Sequence, residues 1–299
     1  MREAEITKSG VRRLTRFFLL GFLLLLLTGV SNSQRIVRQN GNARTLPARQ
    51  TQGGGDDEDF IKPARPGVAN PAEIQKPGVL QIEFGYDSNF RAPDFRFQQA
   101  APLNIRFAAS SRFLLEAEIE TVKSERREQS DPLETGVGDT RLGFQIVALK
   151  ESERRPALAF AYHAKLPTAS ESKMLGTGRA DHRVTALLSK KLGENTDLDL
   201  NVAYLNVGRE DSSRRADGGL AAVSVSHEFE NKFGFELELS GSSVDEPQSK
   251  GVYALGALTY QFNKRLRFDT GMRFGLSGEA PRAGFFAGLT VGAANLFKR

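Results

Sequence analysis

Three carboxylates stand at every second position in L-E-A-E-I-E (115–120): Glu116, Glu118 and Glu120. In extended chain a period of two sends all three side chains out of one face. Two chemistries suit such a row. It can form a cation-favouring stripe along a wet passage, because rows of fixed charge set ion selectivity. Alternatively, Arg106 and Arg141 on neighbouring strands can neutralise it internally. A second set, Arg267, Asp269 and Arg273, lies on one face of L-R-F-D-T-G-M-R-F-G-L-S (266–277) and would fall beside Glu83. Opposed charges there suit either a transverse field across a pore or a salt-bridge network that fills it. Lys165, Asp199, Glu236 and Glu238 occupy the same phase in their own segments, and all thirteen are expected to line a lumen.

Catalysis and cofactor binding find little to work with. The histidines are His163, His182 and His227, and none lies in an H-E-x-x-H spacing. His163 falls in the phase of the charged residues; His182 and His227 fall in the apolar phase. Ser170, Ser189 and Ser226 could each be imagined beside a histidine, but no G-x-S-x-G elbow exists to expose one. G-T-G-R-A-D (176–181) departs from G-x-G-x-x-G, and no G-x-x-x-x-G-K occurs. With no Cys there is no thiolate chemistry and no disulfide framework. The acidic run Asp56-Asp57-Glu58-Asp59 lacks the glycine and distal glutamate of a calcium loop. We therefore expect no catalytic residue, no metal and no cofactor. The net charge of +5 is partly carried by Arg12, Arg13 and Arg16 near the N-terminus, and what remains is too small and dispersed to argue for nucleic acid.

The elements that position these charges repeat one pattern. Leu80, Ile82, Phe84 and Tyr86 alternate with Gln81, Glu83, Gly85 and Asp87. Similar alternation spans 103–107, 115–120, 142–148, 158–165, 198–204, 233–239 and 266–277. Segments 180–191, 218–229 and 251–262 fit less cleanly, and 283–297 is Gly-rich and apolar on both sides. A period of two marks strands. About twelve strands are expected, an even number as in bacterial outer-membrane barrels. Short turns near 109–112, 150–155, 193–196, 230–232 and 263–264 take turns with longer loops near 88–94, 124–135, 167–179, 208–217 and 241–250, and with a shorter one near 277–282. An up-and-down sheet then collects every long loop at one end.

Composition alone, 39% hydrophobic and 26% charged, would pass for a soluble protein. Two features point elsewhere. Residues 17–30 are an apolar run shorter than the roughly 20 residues a spanning helix needs; a basic stretch precedes it and Ser31 and Ser33 follow. That is the layout of a secretory signal peptide over 1–33. In addition, a closed sheet wider than eight strands has more interior than side chains fill. The expected fold is all-β: an up-and-down antiparallel transmembrane β-barrel over 78–299, with apolar residues on lipid and charges inside. Residues 34–77, rich in Pro, Gly and acid, read as a disordered periplasmic linker. The loops 124–135 and 167–179 are candidate gates.

The segments G-V-G-D-T-R-L-G-F-Q-I (136–146), A-F-A-Y-H-A-K-L-P-T-A-S (159–170) and L-G-T-G-R-A-D-H-R-V (175–184), in that order, resemble the meta-pathway phenol-degradation family of outer-membrane β-barrel proteins, often labelled transporters. The resemblance covers roughly 78–299. It implies a barrel and a link to aromatic-compound catabolism, and it carries over no ligand residues. The expected function is porin-like passive entry of small solutes, aromatic compounds or organic acids among them. Partners would be outer-membrane lipid, the barrel-assembly machinery and the solute, with the protein a monomer. Two features depart from the pattern. Phe297 is followed by Lys298 and Arg299 rather than ending the chain. There is also no Trp, so Tyr86, Tyr162, Tyr204, Tyr260 and some Phe must supply the aromatic girdles. The rival readings are a non-conducting structural or adhesion barrel and an outer-membrane lipid hydrolase.

Overall fold

The computed structural model describes residues 60–93, 95–209, 212–245 and 250–297. The signal-peptide segment 1–33 and the first part of the expected linker, 34–59, lie outside the described residues. Thirteen strands follow: β1 (Val79–Phe90), β2 (Phe97–Ala108), β3 (Phe113–Arg126), β4 (Glu134–Gly136), β5 (Thr140–Leu149), β6 (Ala157–Leu166), β7 (Asp181–Lys191), β8 (Thr196–Arg209), β9 (Ser212–Glu228), β10 (Phe233–Ser242), β11 (Gly251–Asn263), β12 (Leu266–Gly275) and β13 (Ala283–Asn295). All but β4 pair antiparallel with their chain neighbours, and β1 pairs with β13, so among the described residues twelve strands close into a barrel. The three-residue β4 only extends the loop end of β3. Closure satisfies every ladder and leaves no edge in lipid.

The greasy face points outward. Leu258 is 63% exposed, Leu237 58% and Val202 54%, whereas Glu83, Arg106 and Asp269 are almost wholly buried. Hydrocarbon outside and ions inside is the arrangement a bilayer demands and water forbids, so this is a transmembrane barrel of the outer-membrane type. Aromatic side chains concentrate near both ends without any Trp. Phe229, Phe233, Phe235, Tyr260 and Phe262 gather at the short-turn end, and Phe90 packs on Phe97 at the loop end. Placing a cation in the lipid belt should be costly. Leu258→Arg is expected to destabilise the barrel by about 2–4 kcal/mol at mid-bilayer depth. Urea unfolding in lipid vesicles measures this, and a loss under about 0.5 kcal/mol would contradict the lipid-facing assignment.

The structure corrects one loop. Residues 208–217, expected to be a polar loop, are mostly strand. β8 and β9 continue their register through Asn206↔Asp217 and Gly208↔Arg215. Side chains sustain this extension: Tyr204 Oη and Asn206 Nδ2 both donate to Asp217 Oδ1 (2.6 and 2.7 Å). The two candidate gate loops pack together at the same end. Ala169 N–H donates to Asp139 (3.0 Å), Lys173 Nζ to the Thr135 carbonyl (2.8 Å), and Leu175 is buried beside Gly136.

A larger correction concerns residues 60–77. They were expected to belong to the disordered linker. They have no regular secondary structure, but they lie inside the barrel. Pro63, Pro66, Pro71 and Pro77 supply no N–H, so this segment cannot join a ladder as a strand would. Side chains of the wall bond its remaining backbone groups instead, so the buried peptide groups do not go unpaired.

Candidate functional site: the occupied lumen

The lumen segment runs from the turn end to mid-barrel and back. Phe60 sits under the Arg265 guanidinium, 4.5 Å from ring centroid to Cζ. Lys62 and Gln81 exchange hydrogen bonds, Lys62 N–H to Oε1 (2.9 Å) and Gln81 Nε2 to the Lys62 carbonyl (3.0 Å). Ala64 N–H donates to Glu83 Oε1 (3.0 Å). Arg65, furthest up, spans Asp269 (3.4 Å) and Asp87 (3.6 Å). The chain then crosses the lumen, where Val68 and Ala69 N–H both donate to Glu238 Oε2 (2.7 and 2.8 Å) and Asn201 Nδ2 donates to the Val68 carbonyl (3.0 Å). On the return, Ala72 N–H meets Ser189 Oγ (2.7 Å) and Gln145 Nε2 meets the Pro71 and Ala72 carbonyls. Gly78, at φ +82°, turns the chain into β1.

The wall makes room for this segment. Inward-facing Gly85 and Gly288 are register partners across β1 and β13, and a methyl on either would overlap the Arg65 side chain. A methyl on Gly292 would overlap Phe60. The Gly-rich character of β13 thus has a steric cause: another piece of chain passes close by.

None of the thirteen predicted residues is exposed, and most are paired. Arg106 is fully buried and bridges Glu116 (Nε–Oε1 2.7 Å) and Glu83 (Nη1–Oε1 3.3 Å), while also donating to the Lys62 carbonyl. The second Glu116 oxygen meets His163 Nε2 (2.9 Å). Arg141 pairs with Glu118 (2.8 Å), and Glu120 lies 3.8 Å from Lys123. The Glu116–Glu118–Glu120 row is therefore neutralised, as the second of its two readings required. Lys165 pairs with Asp181 and Asp139 and ties β6 to the loop end. Asp199 accepts from Ser189 Oγ. The expected cluster of Arg267, Asp269 and Arg273 beside Glu83 does not assemble. Arg267 turns to Glu228 (2.9 Å), Asp269 takes Arg65, and Arg273 reaches Asp87 only at 3.9 Å while lying over the Phe286 ring. Glu83 and Arg267 are kept apart by β13, where Thr290 opposes both.

The sequence from residue 64 to residue 292 matches the family described as "Putative MetA-pathway of phenol degradation". The chain belongs to that family. The matched span starts within the lumen segment, so the family unit includes most of the plug as well as the barrel. No curated protein matches the sequence. Among solved structures, the fold is similar to that of an outer membrane channel from Pseudomonas putida F1, at 14% identity and a TM-score of 0.58 over 76% of this chain and 98% of that one. The KdgM porin in complex with disordered oligogalacturonate aligns at 11% identity and a TM-score of 0.47, over 71% of this chain and 98% of that one. Outer membrane phospholipase A from Escherichia coli aligns at 13% identity and 0.43, over 75% and 95%. At these identities the likeness is one of fold.

In this member of the phenol-degradation family the three histidines have other partners than serine. His163 meets Glu116, His182 Nδ1 meets Tyr162 Oη (2.8 Å) and His227 Nδ1 meets Thr196 Oγ1 (2.8 Å). Ser189 is taken by Asp199 and Ala72, and Ser170 meets Ser172. What sequence reasoning missed is the inner half of the site: Lys62, Arg65 and the Val68–Ala69 amides. Two signals pointed to them. One is the same-face pair of glycines Gly288 and Gly292, which asks what occupies the space. The other is Lys62 and Arg65, two cations in a tail whose neighbouring wall is rich in carboxylates.

Proposed function

We propose that this protein is a porin-like channel of the outer membrane that admits small solutes, with aromatic compounds and organic acids as its cargo class, and that residues 60–77 hold it mostly shut. The observation that carries this reading is the nature of the plug's attachment. It is fixed mainly by hydrogen bonds and ion pairs to a charged wall, each replaceable by water, and its apolar contacts are two small separate clusters around Ala69 and Ala72, not a continuous core. The path for solute is the one the plug vacates, past Glu83, Asp269, Glu238 and Asp199. The packed loops 124–135 and 167–179 act as the outer gate. Residues 1–33 serve as the export signal, the barrel-assembly machinery inserts the chain, and it works as a monomer without catalysis or cofactor.

Planar-bilayer recording on the folded protein tests the reading. Small, flickering openings are expected, as the plug leaves and returns. The filled lumen also favours a second reading, a non-conducting barrel whose long loops bind something outside. Silence at every voltage, with folding verified by a mobility difference before and after boiling in detergent, would establish that one instead.

A further inference from the structure

At the turn end the plug does not fill the barrel. A cavity of about 710 Å³ remains between it and the wall of β8–β12, a size that suits a small organic ligand. Its polar floor is built from three adjacent strands. Asp197 on β8 and Glu236 on β10 both register with Ser226 on β9, and Asp199 stands one inward position further along β8. Neighbouring strands lie about 4.8 Å apart, so the two rows of carboxylates flank the serine hydroxyl. Phe60 and Ile61 from the plug add apolar wall.

One member of this group lacks what its burial requires. Glu236 is only 9% exposed, yet among the described residues it accepts no hydrogen bond and makes no ion pair. Three of the cations lining the cavity are engaged elsewhere. Arg267 attracts Glu236 but closes its ion pair on Glu228, Lys62 attracts Asp199 but pairs with Glu73 (3.5 Å), and Lys232 Nζ donates to the Phe262 carbonyl. Asp199 has the Ser189 hydroxyl. A buried carboxylate without a partner is costly, and a cation in the cavity would remove that cost. A metal ion is a poor match, because among the described residues no three His, Asp or Glu are placed to hold one.

We infer that this cavity is a binding site for a small organic cation, a primary ammonium on an apolar body. Its three N–H donors match Glu236, Asp199 and the Ser226 hydroxyl, and its apolar part lies against Phe60 and Ile61. The site stands whether or not the lumen conducts. Because one wall is the plug, an occupant also bridges plug and barrel, and binding favours the seated plug.

Benzylammonium is the probe, titrated by calorimetry into the folded full-length protein in detergent, with benzyl alcohol as its uncharged counterpart. Saturable one-to-one binding of benzylammonium alone is expected. Glu236→Gln, with folding checked by the boiling-dependent gel shift, should weaken it about tenfold or more, the size of one lost charge-assisted bond. Asp199→Asn should weaken it independently, and serves if the first variant does not fold. The assignment is overturned if benzylammonium does not saturate, if benzyl alcohol binds as well, if either folded variant binds like the parent, or if magnesium displaces the probe at equal concentration.

Discussion

Deleting residues 60–76 raises the single-channel conductance several-fold while the barrel still folds. This is the largest effect the structure predicts. A twelve-strand barrel is wider than one its own side chains can fill, and here the plug fills part of the excess. The deletion strips Glu238, Asp269 and Glu83 of bonds from Val68, Ala69, Arg65 and Ala64. Those carboxylates are not left dry, because water enters the space the plug leaves, and the desolvation penalty disappears with it. The gel-shift temperature should therefore fall only modestly while current rises. Conductance no higher than that of the intact chain, in a verified barrel, would show that the plug is not the barrier.

The second large effect runs the other way. Arg106→Ala, with the plug in place, should destabilise the barrel by about 3–5 kcal/mol, the usual cost of leaving buried charge uncompensated. Arg106 is the hub of the turn-end half of the lumen: it holds Glu116, Glu83 and the Lys62 carbonyl at once. Its removal strands two carboxylates where water cannot reach. Glu83 keeps Gln81 Nε2 (2.6 Å) and Ala64 N–H, and Glu116 keeps His163, but neither contact restores the missing charge. Urea unfolding in vesicles gives the number. Adding Glu116→Gln to Arg106→Ala should recover part of the loss, since one uncompensated charge then goes. A loss under about 1 kcal/mol would mean that water already reaches the hub.

The contrast between these variants explains what was legible in the sequence. The wall was legible because period-two alternation is local. Leu266, Phe268, Met272 and Phe274 declare their face without reference to anything distant, and so do the lumen-phase charges from Glu83 to Arg273. The pairing of Glu116 and Glu118 with Arg106 and Arg141 was available as one of two readings, because adjacent strands in an up-and-down barrel must meet. The β8–β9 extension was not legible. Its polar residues 214–217 are strand held by Tyr204, Asn206 and Asp217, and polarity without an apolar face reads as loop. The plug was least legible of all. Its prolines and small residues have the composition of a tether, and its ordering comes from single partners far along the chain, such as Arg65 with Asp269 and with the Ala287 carbonyl. Irregular chain bonded by side chains leaves no periodic trace.

Phe60 and Gly78, the two ends of the lumen segment, both lie at the same mouth of the barrel, one beside Arg265 and the other at the start of β1. The segment is thus lodged like a stopper on a cord and is not threaded like a knot. It can retreat toward the periplasm without drawing a free end through the cylinder and without breaking a single rung between strands. Each bond given up on the way out can be replaced by water, and each can re-form on return.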